Sequence, residues 1–388
     1  MNKFIPSVLA SVLALAPNLL EAKSHTYLSI EESRIEKAQK EAPEMTEQFA
    51  SSLANFERAL DSVNTPAVLQ MIIVQYGSSL WQESVAYLQH NNTFDDRPLY
   101  WARLQMAKLL RGNPVFRELS EQVQADFMRQ LEFASRGDNQ VEYGKLGLKK
   151  ILVTGFDPFF LDRNIAQSNP SGVAAMYLDG KVLEINGEKA EVQALMIPVR
   201  FADFDQGMIE QMLSQRMAKV NMLATISMGR KDFDLERFPG LRRSSKAPGN
   251  LNIYTGATSK NPLKPFLHGE ALVTPEFVQF SLPVKAMQKA KGPYQVIDNH
   301  KVETLSKGKI EPKSLAELAG EISVQGSGGG YLSNEISYRS IVLRDELNPE
   351  LPVGHIHTPR IKEWKREEVK NIVLQIEDML RHSVPTLK

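Results

Sequence analysis

Three apolar segments in the second half of the chain predict the strands of a parallel sheet. They are the runs at 150–154, 192–199 and 221–226. None of them alternates between apolar and polar residues, and segments with helical spacing at 170–178 and 204–217 separate them. A strand without alternation is buried on both faces, as happens when helices cover a parallel sheet. The sequence therefore predicts an α/β domain with a buried, mainly parallel sheet.

The first half of the chain predicts an all-α domain. Apolar residues recur there at helical spacing, which indicates the core of a helical bundle and no cofactor pocket, so no cofactor is predicted. Ser29 and Glu32 form a capping-box pattern at the start of a charged helix. Start signals for further helices stand at Thr65-Pro66, Pro98 and Pro114. We expect the last of these helices to continue to Phe133.

The pattern changes at residues 137–140, which are the predicted linker. The expected divisions of the chain are a signal peptide at 1–22, a helical domain at 23–146 and an α/β domain at 147–388. The signal peptide has a positive residue, Lys3, then a broken apolar run and a small residue, Ala22, for cleavage. The predicted localisation is therefore export to the periplasm or out of the cell, with a retained anchor as the alternative. No other segment approaches the roughly 18 apolar residues of a transmembrane helix, so no membrane span is predicted in the mature chain.

Charge and cysteine content exclude several classes of function. Lys+Arg and Asp+Glu number 46 each, so no net positive field favours nucleic acid as a partner. The chain has no cysteine, which excludes disulfides, thiolate metal sites and cysteine nucleophiles.

A glycine-rich turn near the end of the chain carries the sharpest chemical signal. Four glycines lie within 326–330, after apolar residues at Ile322 and Val324 that predict a short buried strand. Ser333 follows the glycines, and a helical segment is expected from Glu335 onward. Such a turn exposes backbone N–H groups to a developing negative charge and presents a nucleophile. The alternative is a flexible turn in which Ser333 caps the helix.

Two histidines follow this turn. His357 lies 24 residues after Ser333, in the segment Gly-His-Ile-His-Thr-Pro that ends at residue 359, and is the candidate general base. His355 is two residues away, so the two rings share a face if the segment is a strand. Together with Glu236 they suggest zinc as an alternative, but no third neutral ligand is evident, and no metal is predicted.

Several ordered blocks in the second half resemble the type I pyroglutamyl peptidases, the C15 cysteine peptidases. The first block is Lys-Ile-Leu-Val-Thr-Gly-Phe-Asp-Pro-Phe at 150–159, followed by Asn169-Pro170. The later blocks, in the same order as in the family, lie at 197–201, 229–237, 329–334 and 354–359. The resemblance covers residues 149–383 and leaves the helical half without a counterpart. It implies an open, twisted sheet sandwiched between helices.

The resemblance also implies an activity and a set of site residues. The family removes an N-terminal pyroglutamate from peptides by attack of a cysteine on the carbonyl carbon. By position, the nucleophile would be Ser333, the base His357 and the orienting carboxylate Glu236. The positions that match the pyroglutamate pocket are Phe156, Phe159 and Asn169.

The chain departs from the family's pattern at several positions. Ser333 stands where the family has its cysteine, and a hydroxyl needs proton removal during attack whereas a thiolate does not. Lys246 falls where the family has an arginine near the oxyanion, and it keeps the charge without the bidentate fork. Phe160-Leu161 replaces a double glycine, and a polar insertion at 301–318 precedes the glycine-rich turn.

We expect a pyroglutamyl-peptidase-like hydrolase that acts on peptides, with serine in place of the nucleophilic cysteine. The alternative is a catalytically inactive relative that binds a peptide terminus or a protein partner. A third interpretation is that the serine replaces a natural cysteine by engineering. The sequence leaves open whether the chain forms a homo-oligomer and what the helical half does.

Overall fold

The computed structural model describes residues 28–145 and 147–388, so the predicted signal peptide lies outside the described residues. The described chain begins with helices. They are α1 (Ile30–Ser33), α2 (Ile35–Glu41), α3 (Pro43–Thr46), α4 (Ala50–Asp61), α5 (Pro66–Asn91), α6 (Arg97–Gly112), α7 (Pro114–Arg117) and α8 (Glu121–Ala134). None of the helices in the described residues is both long and apolar enough to cross a lipid bilayer.

Strands and helices alternate in the remainder. The strands are β1 (Lys149–Phe156), β2 (Val182–Ile185), β3 (Glu188–Ile197), β4 (Met222–Met228), β5 (Phe233–Glu236), β6 (Phe266–Leu267), β7 (Glu270–Ala271), β8 (Val296–Asn299), β9 (Val302–Thr304), β10 (Gly308–Ile310), β11 (Ser323–Gln325) and β12 (Val353–Thr358). The helices are α9 (Pro170–Leu178), α10 (Phe201–Asp205), α11 (Met208–Met217), α12 (Val284–Met287), α13 (Leu332–Leu347) and α14 (Arg366–Ser383). Short 3₁₀ helices occupy Asp138–Gln140, Leu315–Leu318 and Val384–Thr386.

Most predicted helix starts are confirmed, but one predicted helix is two. The capping box is present, because Ser29 Oγ accepts from Glu32 N at 3.1 Å and Ser29 N donates to Glu32 Oε2 at 2.7 Å. The prediction of a single helix from Pro114 to Phe133 is wrong. Ser120 adopts an extended backbone, which interrupts the helical hydrogen bonds and starts α8.

The predicted helix at 204–217 is also two helices, divided at Gly207. This glycine has φ of +78°, in the left-handed region that side chains disfavour. A Cβ atom at Gly207 would lie 2.6 Å from His268 Cε1. The break therefore follows from a close approach to a distant loop, which the periodicity of the helix does not reveal.

The seven-stranded sheet confirms the predicted α/β class. Its order is β2-β3-β1-β4-β12-β5-β8. The pairs β3–β1, β1–β4, β4–β12 and β5–β8 are parallel, while β2–β3 and β12–β5 are antiparallel. Carboxyl ends of parallel strands meet at one edge of a sheet, and the segments that follow them form the usual ligand sites.

The predicted polar insertion at 301–318 contributes to a small second sheet in the order β10-β9-β11. The apolar residues that attach this sheet to the main body are Phe238, Phe277, Val302 and Leu318. Val324 in β11 is buried as predicted, whereas Ile322 is 39% exposed and precedes the strand. One side of the small sheet therefore belongs to the core, and the other side is polar.

A buried ion cluster joins the helical region to the main sheet. Asp157, directly after β1, accepts from Arg103 Nη1 at 3.0 Å and lies 2.7 Å from Arg136 Nη1. The three side chains are at most 1% exposed. Burying a guanidinium group without a carboxylate costs far more than burying a matched cluster. The folded state of each region therefore requires that the other be docked against it.

The three tryptophans of the chain lie at the same seam. Trp81 Nε1 donates to Asp179 Oδ2 at 3.1 Å, and Trp364 Nε1 donates to Phe94 O at 2.8 Å. Trp101 belongs to an apolar cluster that includes Leu161 of the α/β region. Each indole thus contacts a part of the chain from the opposite region.

Arg34, between α1 and α2, holds the loop that follows β1. It donates to Asp162 through Nε at 2.7 Å and through Nη2 at 2.9 Å. Its Nη1 donates to Asn250 O at 2.6 Å, and Nη2 also donates to Asn252 Oδ1 at 3.1 Å. One side chain of the helical region therefore ties together two loops of the α/β region.

Asp96 and Arg97, at the start of α6, hold the other end of the same loop. Asp96 accepts from Ser168 Oγ at 2.6 Å and from Asn169 N at 3.1 Å. Arg97 Nη1 donates to Ala166 O at 3.1 Å. The loop at 157–168 is consequently fixed at both ends by the helical region.

We expect Arg34→Ala to loosen this loop while the rest of the chain stays folded. The change removes hydrogen bonds from a charged donor, so backbone amides at 158–168 and 249–252 should exchange about 10- to 100-fold faster. Hydrogen exchange read by mass spectrometry measures the effect. The matched control is Arg129→Ala, because Arg129 pairs with Asp126 on an exposed helix face. Equal protection of both loops in the two variants would contradict the role of Arg34 in holding them.

We expect Asp96→Asn to change how stability depends on pH. Burial raises the pKa of Asp96 from 3.8 to about 8. The folded state then binds this proton more tightly than the unfolded state, so stability falls as pH rises from about 4 to about 8. The amide of the variant does not titrate, so the stability of the wild type relative to the variant should fall by up to about 4 kcal/mol between pH 5 and pH 8. Denaturant unfolding at both pH values measures this difference. A difference that stays constant or rises with pH would refute the raised pKa of Asp96.

Candidate active site

The glycine-rich turn connects β11 to α13. Gly326 and Gly329 form an isolated antiparallel bridge, and Gly329 has φ of +89°, so the turn uses the left-handed conformation that glycine allows. A Cβ atom at Gly330 would lie 2.0 Å from Ser244 Oγ, so the chain also needs glycine there for close packing.

Ser333 lies in the first turn of α13. The helix begins at Leu332, three residues before the predicted start at Glu335, and its N-cap is Tyr331. The alternative that Ser333 is the N-cap is therefore wrong. Its side chain is half-buried, and Ser333 Oγ donates to Gly328 O at 3.3 Å.

Backbone amides at the start of α13 surround Ser333. The first N–H groups of a helix have no partner inside the helix, and within the described chain Tyr331 supplies no side-chain cap for them. Amides at the N-terminus of a 16-residue helix favour a negative charge, which is what an oxyanion site requires.

Two buried arginines fix this first turn. Glu335 accepts from Arg243 Nε at 2.6 Å and from Arg339 Nε at 2.9 Å. Burial alone would raise the pKa of Glu335, but the two guanidinium groups outweigh burial and lower it. Because Glu335 stays ionised and paired, the position of Ser333 two residues earlier is well defined.

His357 and Glu236 come together because β12 and β5 are neighbours in the main sheet. His357 lies opposite Asp234 in the antiparallel β12–β5 pair. Asp234 precedes Glu236 by two residues in β5. His357 Nδ1 is hydrogen-bonded to Glu236 Oε1, and the residues are 5% and 0% exposed. Burial raises the pKa of Glu236, and the neighbouring His357 opposes that shift.

Asn299 completes this group, although the sequence did not predict it as a site residue. It ends β8, opposite Glu236 in the parallel β5–β8 pair. Its Nδ2 donates to Glu236 Oε2 at 2.9 Å and to Ser327 O at 3.1 Å. The signal that could have found it is the short strand Val296–Asn299, in a stretch whose pattern is hard to interpret. Asn299 links the buried carboxylate to the glycine-rich turn.

His355 is held by hydrogen bonds at both nitrogens of its ring. The prediction that its ring shares a face with the ring of His357 is confirmed by a centroid distance of 4.8 Å. Its Nδ1 is 2.8 Å from Thr225 Oγ1, and its Nε2 is 2.7 Å from Ser227 Oγ. Burial lowers its pKa well below the ordinary value, so the ring is neutral. Both ring nitrogens are occupied, and the described residues include no cluster of three His, Asp or Glu that could hold a metal ion.

Ser333 opens into a pocket at the carboxyl ends of β1 and β4. Its lining includes Phe156, Phe159, Asn169 and Ser333. The structure thus brings together the three residues predicted from the pocket blocks and the predicted nucleophile.

Most of the hydrogen-bonding capacity of the Asn169 side chain is used by neighbouring backbone atoms. Its Oδ1 accepts from Ser171 N at 3.1 Å, and its Nδ2 donates to Asp157 O at 3.0 Å. Asn169 is therefore the N-cap of α9, and one of the two Nδ2 hydrogens is used in holding the loop. The role predicted for it in binding a substrate stays a prediction.

Two of the departures noted in the sequence have different consequences. Phe160 has φ of +62°, which is unusual for a bulky residue and which glycine adopts without strain. Its ring centroid lies 4.5 Å from that of Phe159, so the ring packs against a residue that lines the pocket. Lys246 is exposed and makes no ion pair with any residue of the described chain. Its predicted role at the oxyanion stays a prediction.

Comparison with known proteins gives two family matches. The profile described as "PA0049 N-terminal domain" matches residues 15–132, and the profile described as "PA0049, C-terminal domain" matches residues 150–277 and 295–362. The uncharacterized protein PA0049 of Pseudomonas aeruginosa is 27% identical over 382 residues, covering 74% of this chain and 69% of that protein. A pyrrolidone-carboxylate peptidase of Lacticaseibacillus paracasei is 26% identical over 230 residues, covering 59% of this chain and 86% of that protein.

Two solved structures are similar at low identity. A mutant pyrrolidone carboxyl peptidase from Pyrococcus furiosus has 21% identity and a TM-score of 0.41, covering 62% of this chain and 100% of that chain. The pyroglutamyl peptidase I from Bacillus amyloliquefaciens has 17% identity and a TM-score of 0.40, covering 62% and 94% of the two chains. The C-terminal family match alone spans just over half of the chain. This protein therefore belongs to the family described as PA0049, C-terminal domain.

Proposed function

We propose that this protein is a serine hydrolase that removes an N-terminal pyroglutamyl or similar residue from peptides. The observation that carries the proposal is the buried, hydrogen-bonded group of His357, Glu236 and Asn299 near the pocket into which Ser333 opens. The sequence similarity to a pyrrolidone-carboxylate peptidase over 59% of the chain supports the substrate class.

The proposed mechanism starts from the tautomer of His357. Glu236 accepts the Nδ1 proton of His357, so Nε2 carries the lone pair and acts as the base. Nε2 takes the hydroxyl proton as Ser333 Oγ attacks the carbonyl carbon of the pyroglutamyl residue. The C–N bond then breaks, and Nε2 gives the proton to the leaving amine. Water hydrolyses the ester by the same route, which releases pyroglutamate and regenerates Ser333.

The surroundings of Ser333 supply the other requirements of acyl transfer. The first-turn amides of α13 can donate to the developing oxyanion, which is usually among the largest contributions to such reactions. Phe156 and Phe159 offer apolar walls to a small lactam ring, and the remaining Nδ2 hydrogen of Asn169 is a donor for its carbonyl group.

A second candidate function is a binding protein that captures peptide termini without cleaving them. One observation favours it: Ser333 Oγ donates to Gly328 O at 3.3 Å, so this proton is not directed at His357. Catalysis requires the hydroxyl to rotate away from that carbonyl when substrate enters. Hydrolysis of a chromogenic pyroglutamyl amide by the wild type separates the two functions, because a binding protein would retain the ligand unchanged.

We expect Ser333→Ala to lower kcat for a pyroglutamyl amide by at least about 10³-fold, because the change removes the attacking atom. The matched control is Ser337→Ala, one turn further along α13, where the hydroxyl has no hydrogen-bond partner in the described chain. Ser333→Cys should retain hydrolysis, since a thiol at the same position is an intrinsically better nucleophile. If Ser333→Ala hydrolysed the amide at the wild-type rate, Ser333 would not be the nucleophile.

We expect Glu236→Gln to lower kcat by about 10³- to 10⁴-fold with little change in KM. The glutamine has one acceptor and one donor group, whereas Glu236 accepts both from His357 and from Asn299. One of these two donors would then face an NH₂ group, so His357 would lose the tautomer that leaves Nε2 unprotonated. Steady-state kinetics measures the change, with circular dichroism to show that the variant is folded. An unchanged kcat in a folded variant would contradict the orienting role.

A further inference from the structure

We propose that the small sheet of β9, β10 and β11 binds the part of a peptide substrate that follows the cleaved bond. The protein would then act on oligopeptides with a free carboxylate in preference to small amides. This inference rests on the proposed function and names its substrate class more closely.

The small sheet forms the wall of an open cleft. The cleft is lined by charged side chains, among them Lys301, Glu303, Lys309 and Glu311. These residues lie at alternate positions along the β9 and β10 segments, so their side chains share one face of the sheet. The residues between them, Val302 and Ile310, pack on the opposite side against the core.

Two segments next to the candidate catalytic group line the cleft. Gly326, which belongs to the turn that leads to Ser333, and Arg230 both line the cleft. Arg230 follows Gly229, where a Cβ atom would be 2.6 Å from His357 Cβ, so the backbone there packs directly on the histidine. The cleft therefore begins between the segment that bears the serine and the segment that bears the histidine.

Electrostatics gives a second link between the cleft and the histidine. Burial raises the pKa of Asp234, while the positive charges of Arg230 and Lys301 oppose this shift. Asp234 is also the residue opposite His357 in the β12–β5 pair. Lys301 of the insertion and Arg230 thus act on the carboxylate that faces the candidate base across the sheet.

The chemistry of acyl transfer decides which part of the substrate faces this cleft. The histidine that took the serine proton returns it to the leaving amine, so the leaving peptide must pass on the histidine side of the serine. The acyl side of the substrate occupies the pocket of Phe156 and Phe159. The open cleft, lined by Gly326 of the serine-bearing turn and by Arg230 next to the glycine that packs on His357, offers a path for the peptide on that side.

The charges of the cleft indicate what the leaving peptide carries. Three cationic side chains (Arg230, Lys301, Lys309) and two carboxylates (Glu303, Glu311) line it. The two lysines make no ion pair with any residue of 28–145 or 147–388, so their ammonium groups are available to a carboxylate on the substrate. A solvated surface would carry such charges as well, but it would not form one wall of a cleft that is also lined by Arg230, next to the glycine that packs on His357.

The test compares two substrates: pyroglutamyl-trialanine with a free carboxylate, and pyroglutamyl p-nitroanilide. We expect the wild type to favour the peptide in kcat/KM, and the double variant Lys301→Ala/Lys309→Ala to lower the peptide-to-anilide ratio about 10-fold. The matched control is Lys307→Ala/Lys313→Ala, which removes two lysines of the same insertion that do not line the cleft; Lys307 pairs with Glu321 at 3.0 Å. No preference for the peptide, or an equal fall of the ratio in both double variants, would overturn the proposal.

A binding measurement keeps this test separate from the proposed hydrolysis. Ser333→Ala is titrated by calorimetry with pyroglutamyl-trialanine and with pyroglutamyl amide. We expect the peptide to bind at least about 10-fold more tightly, and this advantage to disappear when Lys301→Ala/Lys309→Ala is added but not when the control pair is added. If the wild type hydrolysed neither substrate, the catalytic proposal would be refuted. If the two ligands bound with equal affinity, the proposed role of the cleft in binding the peptide would be refuted.

Discussion

The carboxylate of Asp157 must be neutralised by groups from another part of the chain, and much of the structure depends on how this is done. Asp157 directly follows β1 and begins the loop that carries Phe159, one of the residues that line the candidate pocket. The two guanidinium groups that contact it come from α6 and from the residues just after α8. Removing one member of such a buried group typically costs about 3–5 kcal/mol, because the remaining charges lose their partners. The helical region is therefore a structural component of the pocket and not an appendage to it.

The order of strands explains how residues from distant parts of the sequence meet. β5 lies between β12 and β8, so Glu236 has His357 on one side and Asn299 on the other. Ser333 reaches the same region from a different direction, through the glycine-rich turn and the first turn of α13. Asn299 also contacts the carbonyl group of Ser327 in that turn. A change in register between β5 and β8 would thus disturb the carboxylate and the turn together.

Much of the fold could be predicted from the sequence, because it depends on local patterns. Apolar runs without alternation indicated β1, β3 and β4, and cap residues such as Thr65 and Asn169 marked helix starts correctly. The errors arose where distant contacts decide the backbone. Gly207 divides a predicted helix because His268 packs against it, and no periodicity within the helix contains that information.

The candidate site was predictable to a similar extent, for similar reasons. Short blocks around Phe156, Asn169 and Ser333 identified residues that the structure places around one pocket. The contribution of Asn299 was not predictable, because its meaning comes only from the pairing of β8 with β5. Nor did any pattern indicate that Arg34, Asp96 and Arg103 of the helical half would fix the loop of the pocket, since each partner lies 50 or more positions away along the chain.

The position of the three tryptophans gives this molecule a built-in optical reporter. Trp81, Trp101 and Trp364 are the only indoles in the sequence, and each is buried or bonded at the contact between the helical region and the sheet. Indole emission shifts to longer wavelength when the ring meets water, so the fluorescence of the unlabelled chain reports separation of the two regions. Docking of the helical half is thereby observable in real time during refolding, without any probe attached.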